Sequence, residues 1–568
     1  MRTIRIPITN FGSGRSAVLI LLTVLVCRAS FLPAAEDAAD WPCWRGPLGN
    51  GSATKSPTLA EEWPAWGPRK VWENHSLPRG GNGSPAIANG SAYLYIHDKP
   101  HQRDRVVCLD AATGRSRWQA SFPVDSDTLH EASCTPCVAG GRVYVMGARV
   151  CYCLNAATGK TVWKTDTGVP AKDPTVSGKQ QEVSSSFTLD GDVAAICAGP
   201  TFGLDARTGV ERWRAPEAGG YAGAMTSVAL WRSRNGVRMV YVGMDRLCCV
   251  DSANGLVLWE EPGNRTGCTY ASSPAISGDR LVVTRSEKLQ AYELGQPHPR
   301  RLWSTPFFEE YSSPAIADGR VYTVGPEDAN GDYAVVCRDL ETGQMHWREP
   351  VETANYSSPI VVDGKVLAFA DMGREIVMHD ARGGARLAKS VVGGTQWASP
   401  SIAGGRLFVR LPDGMACYDL TRKACKPPLF RAEGEDLPVV AKRMRDSSAQ
   451  KMAGFGPGWS GDAQLFLSAT NGDWIAVALA VPKAGRYELT AFLTKAPDYG
   501  IIQFDLNGRS IGAAFDGYDE RVVPSGPVSL GEVNVLKGRS VLRLRITGKN
   551  GASKDFFAGL DAVELRER

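Results

Sequence analysis

Side chains able to do chemistry are sparse in this chain, and their spacing limits what they can be. Cys134-Thr135-Pro136-Cys137 has the C-x-x-C spacing shared by haem-attachment, zinc and disulfide sites. Val138 stands where haem attachment requires His, and no second pair completes a zinc set, so the chemistry left is a disulfide in an oxidising compartment. The seven histidines, at 75, 97, 101, 130, 298, 346 and 379, are scattered without ligand spacing. His97 and His101 are four apart, but in a segment that reads as a loop, so they are not expected to share a metal. No Ser/His/Asp constellation stands out. Cys108, Cys153, Cys249, Cys337 and Cys417 each lie two positions before a turn Asp or Asn. A Cys repeated in register reads as a small, buried packing residue.

That register belongs to a repeat with a period of about 45 residues. The unit has a small-residue/Pro start, an alternating strand after Asp-Gly or Gly-Gly, an Asp-Ala-x-Thr-Gly turn, and a Trp. The fullest copies are at 109–114 with Trp118, 154–159 with Trp163 and 204–209 with Trp213, and weaker ones end at Trp259, Trp303 and Trp347. The starts are Ser84, Thr135, Ser186, Ser227, Ser273, Ser313, Ser358 and Ser399, which predicts an all-β, eight-bladed propeller of four-stranded blades. The last two units lack a Trp, with Lys389 and the 421–425 segment read in its place. The Trp missing there turns up early in the chain. Pro68-Arg69-Lys70-Val71-Trp72 reads as an outer strand without its three predecessors, so the strand carrying Trp72 is expected to complete the eighth blade. Trp72, Trp118, Trp163, Trp213, Trp259, Trp303 and Trp347 are read as structural, each covering a turn between blades.

Another aromatic set stands at or just before the blade starts: Tyr221, Tyr270, Tyr311, Tyr356 and Trp397. The rings either pack between neighbouring blades, which is the simpler reading, or rim the channel mouth as a pocket for a peptide, sugar or cofactor. Glu131 and Glu182 would be polar partners of such a pocket.

The Asp-Ala-x-Thr-Gly-x-x-x-Trp unit resembles the tryptophan-docking repeat of the pyrroloquinoline-quinone (PQQ) propeller superfamily. Trp41-Pro42-Cys43-Trp44-Arg45-Gly46-Pro47 resembles the start of secreted bacterial members known only as PQQ-like repeat proteins. The superfamily holds quinone-dependent dehydrogenases and also cofactor-free scaffolds. A dehydrogenase would need calcium held by Glu, Asn and a catalytic Asp, basic groups on the quinone and often a vicinal disulfide. Cys248-Cys249 is adjacent as such a disulfide would be, but Cys249 falls in the packing register, and the pair is expected to be unlinked. Tight blades also leave little chain for the inserted loops that build dehydrogenase sites. The resemblance therefore implies a secreted, non-catalytic binding or scaffold protein with no cofactor and no catalytic residue. The alternative is a PQQ- and calcium-dependent alcohol or sugar dehydrogenase.

Lys426-Pro427-Pro428 ends the repeat, which divides the chain into a propeller at 41–428 and a β-sandwich at 430–568. The stretches 484–489, 495–500 and 557–561 resemble a galactose-binding-like, carbohydrate-binding-module type of jelly roll. That resemblance implies a structural calcium at Glu433, Glu435 and Asp561, and Trp459, Trp474, Tyr499 and Tyr518 as candidate sugar-stacking rings, Trp474 reading rather as core. A protein or a cell-surface glycan would be the partner.

Residues 1–35 read as a signal peptide, with arginines before a short apolar run. Export to the periplasm or beyond is expected, and Cys27 raises the possibility of lipoprotein anchoring, against which Val26 stands where that signal wants a small residue. The formal net charge of +4 rests on Arg2, Arg5, Arg15 and Arg28, so the chain without that segment is neutral. A neutral chain has no electrostatic basis for binding nucleic acid, and no later stretch has transmembrane length.

Overall fold

The computed structural model describes residues 40–567 except 54, 65–66, 124–133, 148, 170–184, 217–224, 244–245, 264–271, 296, 310, 329–330, 352–355, 426–428 and 457. Residues 1–35, read as a signal peptide, and the candidate mouth residues Glu131, Glu182, Tyr221 and Tyr270 lie outside the described residues.

The described part of the repeat region forms eight four-stranded antiparallel sheets. The first consists of Ala86–Ala88, Ser91–Asp98, Arg103–Asp110 and Ser116–Pro123, in that order. Its first three strands are almost wholly buried, because a sheet packed between two others has no solvent face, whereas the fourth alternates towards water. The turn before the fourth strand holds itself. The Asp110 carboxylate accepts the N–H groups of Ala112 and Thr113 and the Thr113 hydroxyl, and Gly114 supplies a φ of 69°. These bonds and the Arg117 guanidinium draw the Asp110 pKa down to about 2.

The turn glycine also makes room for a neighbour. A Cβ on Gly114 would come within 2.5 Å of the Trp72 ring, whose Nε1 donates to the Ala111 carbonyl at 3.0 Å. The same bond joins Trp118 to Ala156, Trp163 to Ala206, Trp213 to Ser252, Trp303 to Leu340 and Trp347 to Ala381, at 2.9–3.2 Å. Trp259 packs instead on Ile276 and Leu281 of the following sheet. Each Trp faces a small residue across its own sheet: Cys108, Cys153, Gly203, Cys249, Ala291, Cys337 and Cys417. This explains the cysteine register, because only a small side chain fits beneath an indole, and burial pushes the Cys249 and Cys417 thiols up to about 12. Cys248 and Cys249 are both free thiols, packed into different clusters on opposite faces of their strand.

The strand Arg69–Asn74 pairs with Gly414–Asp419 and is the fourth strand of the sheet that contains Ser401–Ala403 and Arg406–Leu411. Trp72 stands opposite Cys417 just after a bulge, the register that Trp347 keeps with Cys337. One reading needs correction. The Trp register in the preceding sheet belongs to Ala388, opposite Met378, and not to Lys389, whose ammonium points to Glu375 at 2.8 Å. The N-terminal segment contributes Trp63 to the core cluster on which Ala388 packs.

Residues 430–567 form two further antiparallel sheets. One includes Gly485–Lys495, Val523–Val535 and Ala558–Glu567, the other Trp474–Val481, Gly500–Leu506 and Gly538–Lys549, and both contribute to a single apolar core. No helix among the described residues is long and apolar enough to cross a membrane.

Candidate functional site

The eight starts meet in a circuit of hydrogen bonds. The Ser84 amide donates to the Thr135 hydroxyl, Thr135 to Ser186, Ser186 to Ser227, Ser227 to Ser273, Ser273 to Ser313, Ser313 to Ser358, Ser358 to Ser399, and Ser399 back to Ser84, at 2.8–3.0 Å. A small hydroxyl residue is needed at each place, since its side chain must accept a neighbour's amide where the innermost strands converge.

Aromatic rings gather on one side of this circuit. Tyr311, Tyr356 and Trp397 each precede a ring serine by two residues and contact one another, with centroids 5.0 Å apart for Tyr311 and Tyr356, 4.9 Å for Tyr311 and Trp397, and 4.4 Å for Tyr356 and Trp397. Trp397 is 40% exposed. Beneath Tyr311 lies the buried Glu309, whose Oε1 accepts the Tyr311 amide at 2.8 Å and whose Oε2 accepts the Tyr333 hydroxyl at 2.7 Å. A cavity of about 640 Å³ beside it shares Tyr333 and is also lined by Glu349, Arg386 and Lys389.

The other side of the circuit is occupied by the chain's own N-terminal segment. Trp41 pairs with Ile87, the Pro42 carbonyl accepts the Val138 amide, Asn50 bonds to Ile276 and Ile316, and Gly51 accepts from Val361. These partners all lie three residues beyond ring members, about 10 Å further along strands that rise roughly 3.3 Å per residue. Trp44 and Arg45 reach back to the circuit itself. The Trp44 indole donates to the Ser273 hydroxyl at 3.2 Å, and the Arg45 guanidinium donates to the carbonyls of Pro359 and Pro314 at 2.9 and 2.7 Å. Arg45 is only 3% exposed, and burial without a carboxylate partner lowers its pKa to about 9. The three rings, Trp397 exposed and Tyr311 and Tyr356 half-buried, therefore stand over a floor made by residues 41–53.

Elsewhere the structure redistributes the candidate residues. His97 lies in the strand Ser91–Asp98 and not in a loop. Its Nδ1 is 2.8 Å from an Asp104 oxygen whose partner oxygen accepts the Tyr95 hydroxyl, while His101 turns to Asp98. Cys134 and Cys137 pack into different core clusters, which sets the two thiols of the C-x-x-C pair apart. Trp459 and Tyr499 are buried and joined through Thr494 and Gln464 by hydrogen bonds, which removes them from sugar stacking. Trp474, read as core, is half-buried with the Arg543 guanidinium 4.4 Å above it, and Tyr518 is half-buried.

Glu433, Glu435 and Asp561 are electrostatic neighbours. Asp561 is buried, its Oδ1 accepting the Ser460 amide at 2.9 Å, and burial together with the two glutamates pushes its pKa up to about 7. Burial raises Glu435 as well. Among the described residues no three His, Cys, Asp or Glu side chains are grouped closely enough to hold a metal ion. A pH dependence follows. The unfolded chain releases the Asp561 proton near pH 4 and the folded chain holds it to about 7, so the C-terminal unit loses stability as pH rises from about 4 to about 7 and levels off above that. Asp561→Asn is expected to flatten this profile and to raise the melting temperature at pH 8, as followed by calorimetry. An unchanged slope in the variant would contradict the assignment.

Three comparisons bear on the whole assembly. Residues 67–149, 102–349 and 331–426 match the protein family described as outer membrane protein assembly factor BamB. The chain is 23% identical over 440 residues to the tetrathionate hydrolase of Acidithiobacillus ferrooxidans, which covers 66% of this chain and 80% of that protein. The quinohemoprotein alcohol dehydrogenase of Comamonas testosteroni superposes with a TM-score of 0.53 at 12% identity, covering 70% of this chain and 83% of that one. That of Pseudomonas putida HK5 gives 0.52 at 14%, covering 72% and 84%. At such identities the likeness to the two dehydrogenases is one of fold alone: all three chains carry a PQQ-like repeat propeller.

Proposed function

Because the chain belongs to the family described as outer membrane protein assembly factor BamB, matched from residue 67 to 426, we propose that it is a non-catalytic binding or scaffold protein whose eight-bladed propeller presents its mouth to a polypeptide partner. The observation that carries this reading is the contacting cluster of Tyr311, Tyr356 and Trp397, with Trp397 exposed and the two tyrosines half-buried, on the side of the circuit away from residues 41–53. Aromatic rings of this kind supply large contact area with few torsions to freeze, which is why they anchor protein interfaces. The seven expected tryptophans act within this reading as docking residues between blades, and the strand carrying Trp72 closes the ring. Residues 430–568 act as a β-sandwich of carbohydrate-binding-module type that attaches the propeller to a cell-surface glycan or a second protein. Glu433, Glu435 and Asp561 are not grouped closely enough to hold the calcium that the resemblance implies, so no metal is assigned to them. The 1–35 segment exports the chain to the periplasm or beyond.

The alternative, a PQQ- and calcium-dependent oxidoreductase, places demands on the same mouth. What supports the non-catalytic reading over it is that, among the described residues, Glu309 bonds to the Tyr311 amide and the Tyr333 hydroxyl, and Arg45 and Arg410 bond to backbone carbonyls. Two experiments test the proposal. Trp397→Ala, screened on a peptide array beside the parent, should lose about 2 kcal/mol, roughly thirty-fold, on the peptides the parent retains. Incubation with PQQ and calcium should leave the absorbance spectrum that of a mixture and give no dye-linked alcohol or sugar oxidation. Stoichiometric binding with turnover would overturn the non-catalytic reading.

A further inference from the structure

The N-terminal segment that floors the mouth carries one thiol, Cys43, which is half-exposed, whereas every other cysteine among the described residues is buried. Its neighbour Pro42 fixes its register. The Pro42 carbonyl accepts the Val138 amide at 2.8 Å, and the preceding Trp41 pairs antiparallel with Ile87. Cys137–Ala139 holds in its sheet the position that Ala86–Ala88 holds in the adjacent one, so the segment runs antiparallel to both. The bond from the Val138 amide to the Pro42 carbonyl sets those two residues opposite. Continuing a regular antiparallel register would bring Cys43 opposite Cys137, where Cα atoms of a non-hydrogen-bonded pair stand about 4.5 Å apart. Cys43 also opens a turn closed by the Gly46 amide on its carbonyl, and its thiol donates to the Gly46 carbonyl at 3.9 Å. Disulfides span Cα separations of roughly 4.4–6.8 Å. Packing gives the same register: Cys43 lies on the cluster containing Cys137, Tyr144 and Phe187, while Val138 belongs with Cys134 to the cluster on the opposite face.

We propose that Cys43 and Cys137 join in a disulfide that staples the N-terminal segment to the second sheet of the propeller; for its formation in the cell this rests on the export reading above. The oxidant is a protein or low-molecular-weight disulfide. The Cys43 thiolate, being the accessible one, attacks a sulfur of that donor and expels one thiol. The Cys137 thiolate then attacks the Cys43 sulfur of the mixed disulfide and expels the second thiol. Two protein thiols are oxidised, and one donor disulfide is reduced to two thiols. Trp44 and Arg45 directly follow Cys43, so the bond fixes the floor of the mouth.

The test uses the full-length chain, reduced and then exposed to oxidised glutathione, alkylated in denaturant and mapped by mass spectrometry without reductant. The expected result is two fewer labels and one cross-linked peptide pair joining 43 to 137. Cys43→Ser and Cys137→Ser should each abolish the cross-link, Cys134→Ser should keep it, and oxidation should raise the parent's melting temperature by a few degrees. Full labelling of Cys43 and Cys137 after oxidation, or a link between Cys134 and Cys137, overturns the proposal. The same map on exported protein separates the two readings. Exported chain with both thiols free overturns the disulfide, whereas chain that stays in the cytoplasm yet cross-links with glutathione overturns the export reading and supports the pairing.

Discussion

A chain lacking residues 41–76 accumulates as aggregate and shows no cooperative melting, the largest effect expected of any change considered. The deletion removes the strand Arg69–Asn74 and exposes the edge of Gly414–Asp419, a row of unpaired backbone groups ready to recruit another chain. It also withdraws Trp41, Leu59 and Trp72 from one core cluster and the hydrogen bonds that residues 41–53 make to several sheets. The control is deletion of residues 430–568, whose two sheets share their own core. That truncation should stay soluble and keep a sharp propeller transition. Light scattering and calorimetry on both truncations check the contrast. An N-terminal truncation that melts like the parent means that β-strand pairing at this edge is dispensable.

Trp163→Ala should destabilise the chain by about 3–5 kcal/mol, through loss of a buried aromatic and the cavity left behind. Trp163 is buried, donates to the Ala206 carbonyl at 3.1 Å and packs on Tyr144. Its replacement leaves that carbonyl without its indole donor between two sheets and leaves Gly209 facing a hole. Trp397→Ala removes a ring of similar size from a solvent-facing position and should shift stability by only about 0.5 kcal/mol. Denaturant melts of the two variants, run beside the peptide array, separate a structural tryptophan from a binding one. Equal midpoints for Trp163→Ala and the parent would refute the structural role.

The repeat was legible because every unit meets the same local demands. An Asp or Asn must gather the turn amides, a Gly must take a positive φ under an indole, and a small residue must lie beneath the Trp, so the requirement is written at fixed offsets such as Asp110, Gly114 and Cys108. The place of the missing Trp is Ala388 and not Lys389, because without the indole nothing in the sequence marks the register, and only strand pairing restores it. In the C-terminal part the strands Val439–Arg443, Asp446–Lys451 and Arg509–Asp516 carry no legible pattern, since they are largely exposed and lack apolar alternation.

What the sequence by itself determined was the all-β class and the PQQ-like repeat, both of which follow from periodic local chemistry. The tertiary structure alone decided the site. It brought Tyr311, Tyr356 and Trp397 into mutual contact, turned Cys134 and Cys137 to opposite faces, and laid Trp44 and Arg45 against Ser273, Pro314 and Pro359. The physical reason is separation along the chain. Residues 41–53 bond to partners up to about three hundred positions away, through backbone carbonyls and hydroxyls that any residue type can offer, and such contacts leave no spacing or periodicity to read.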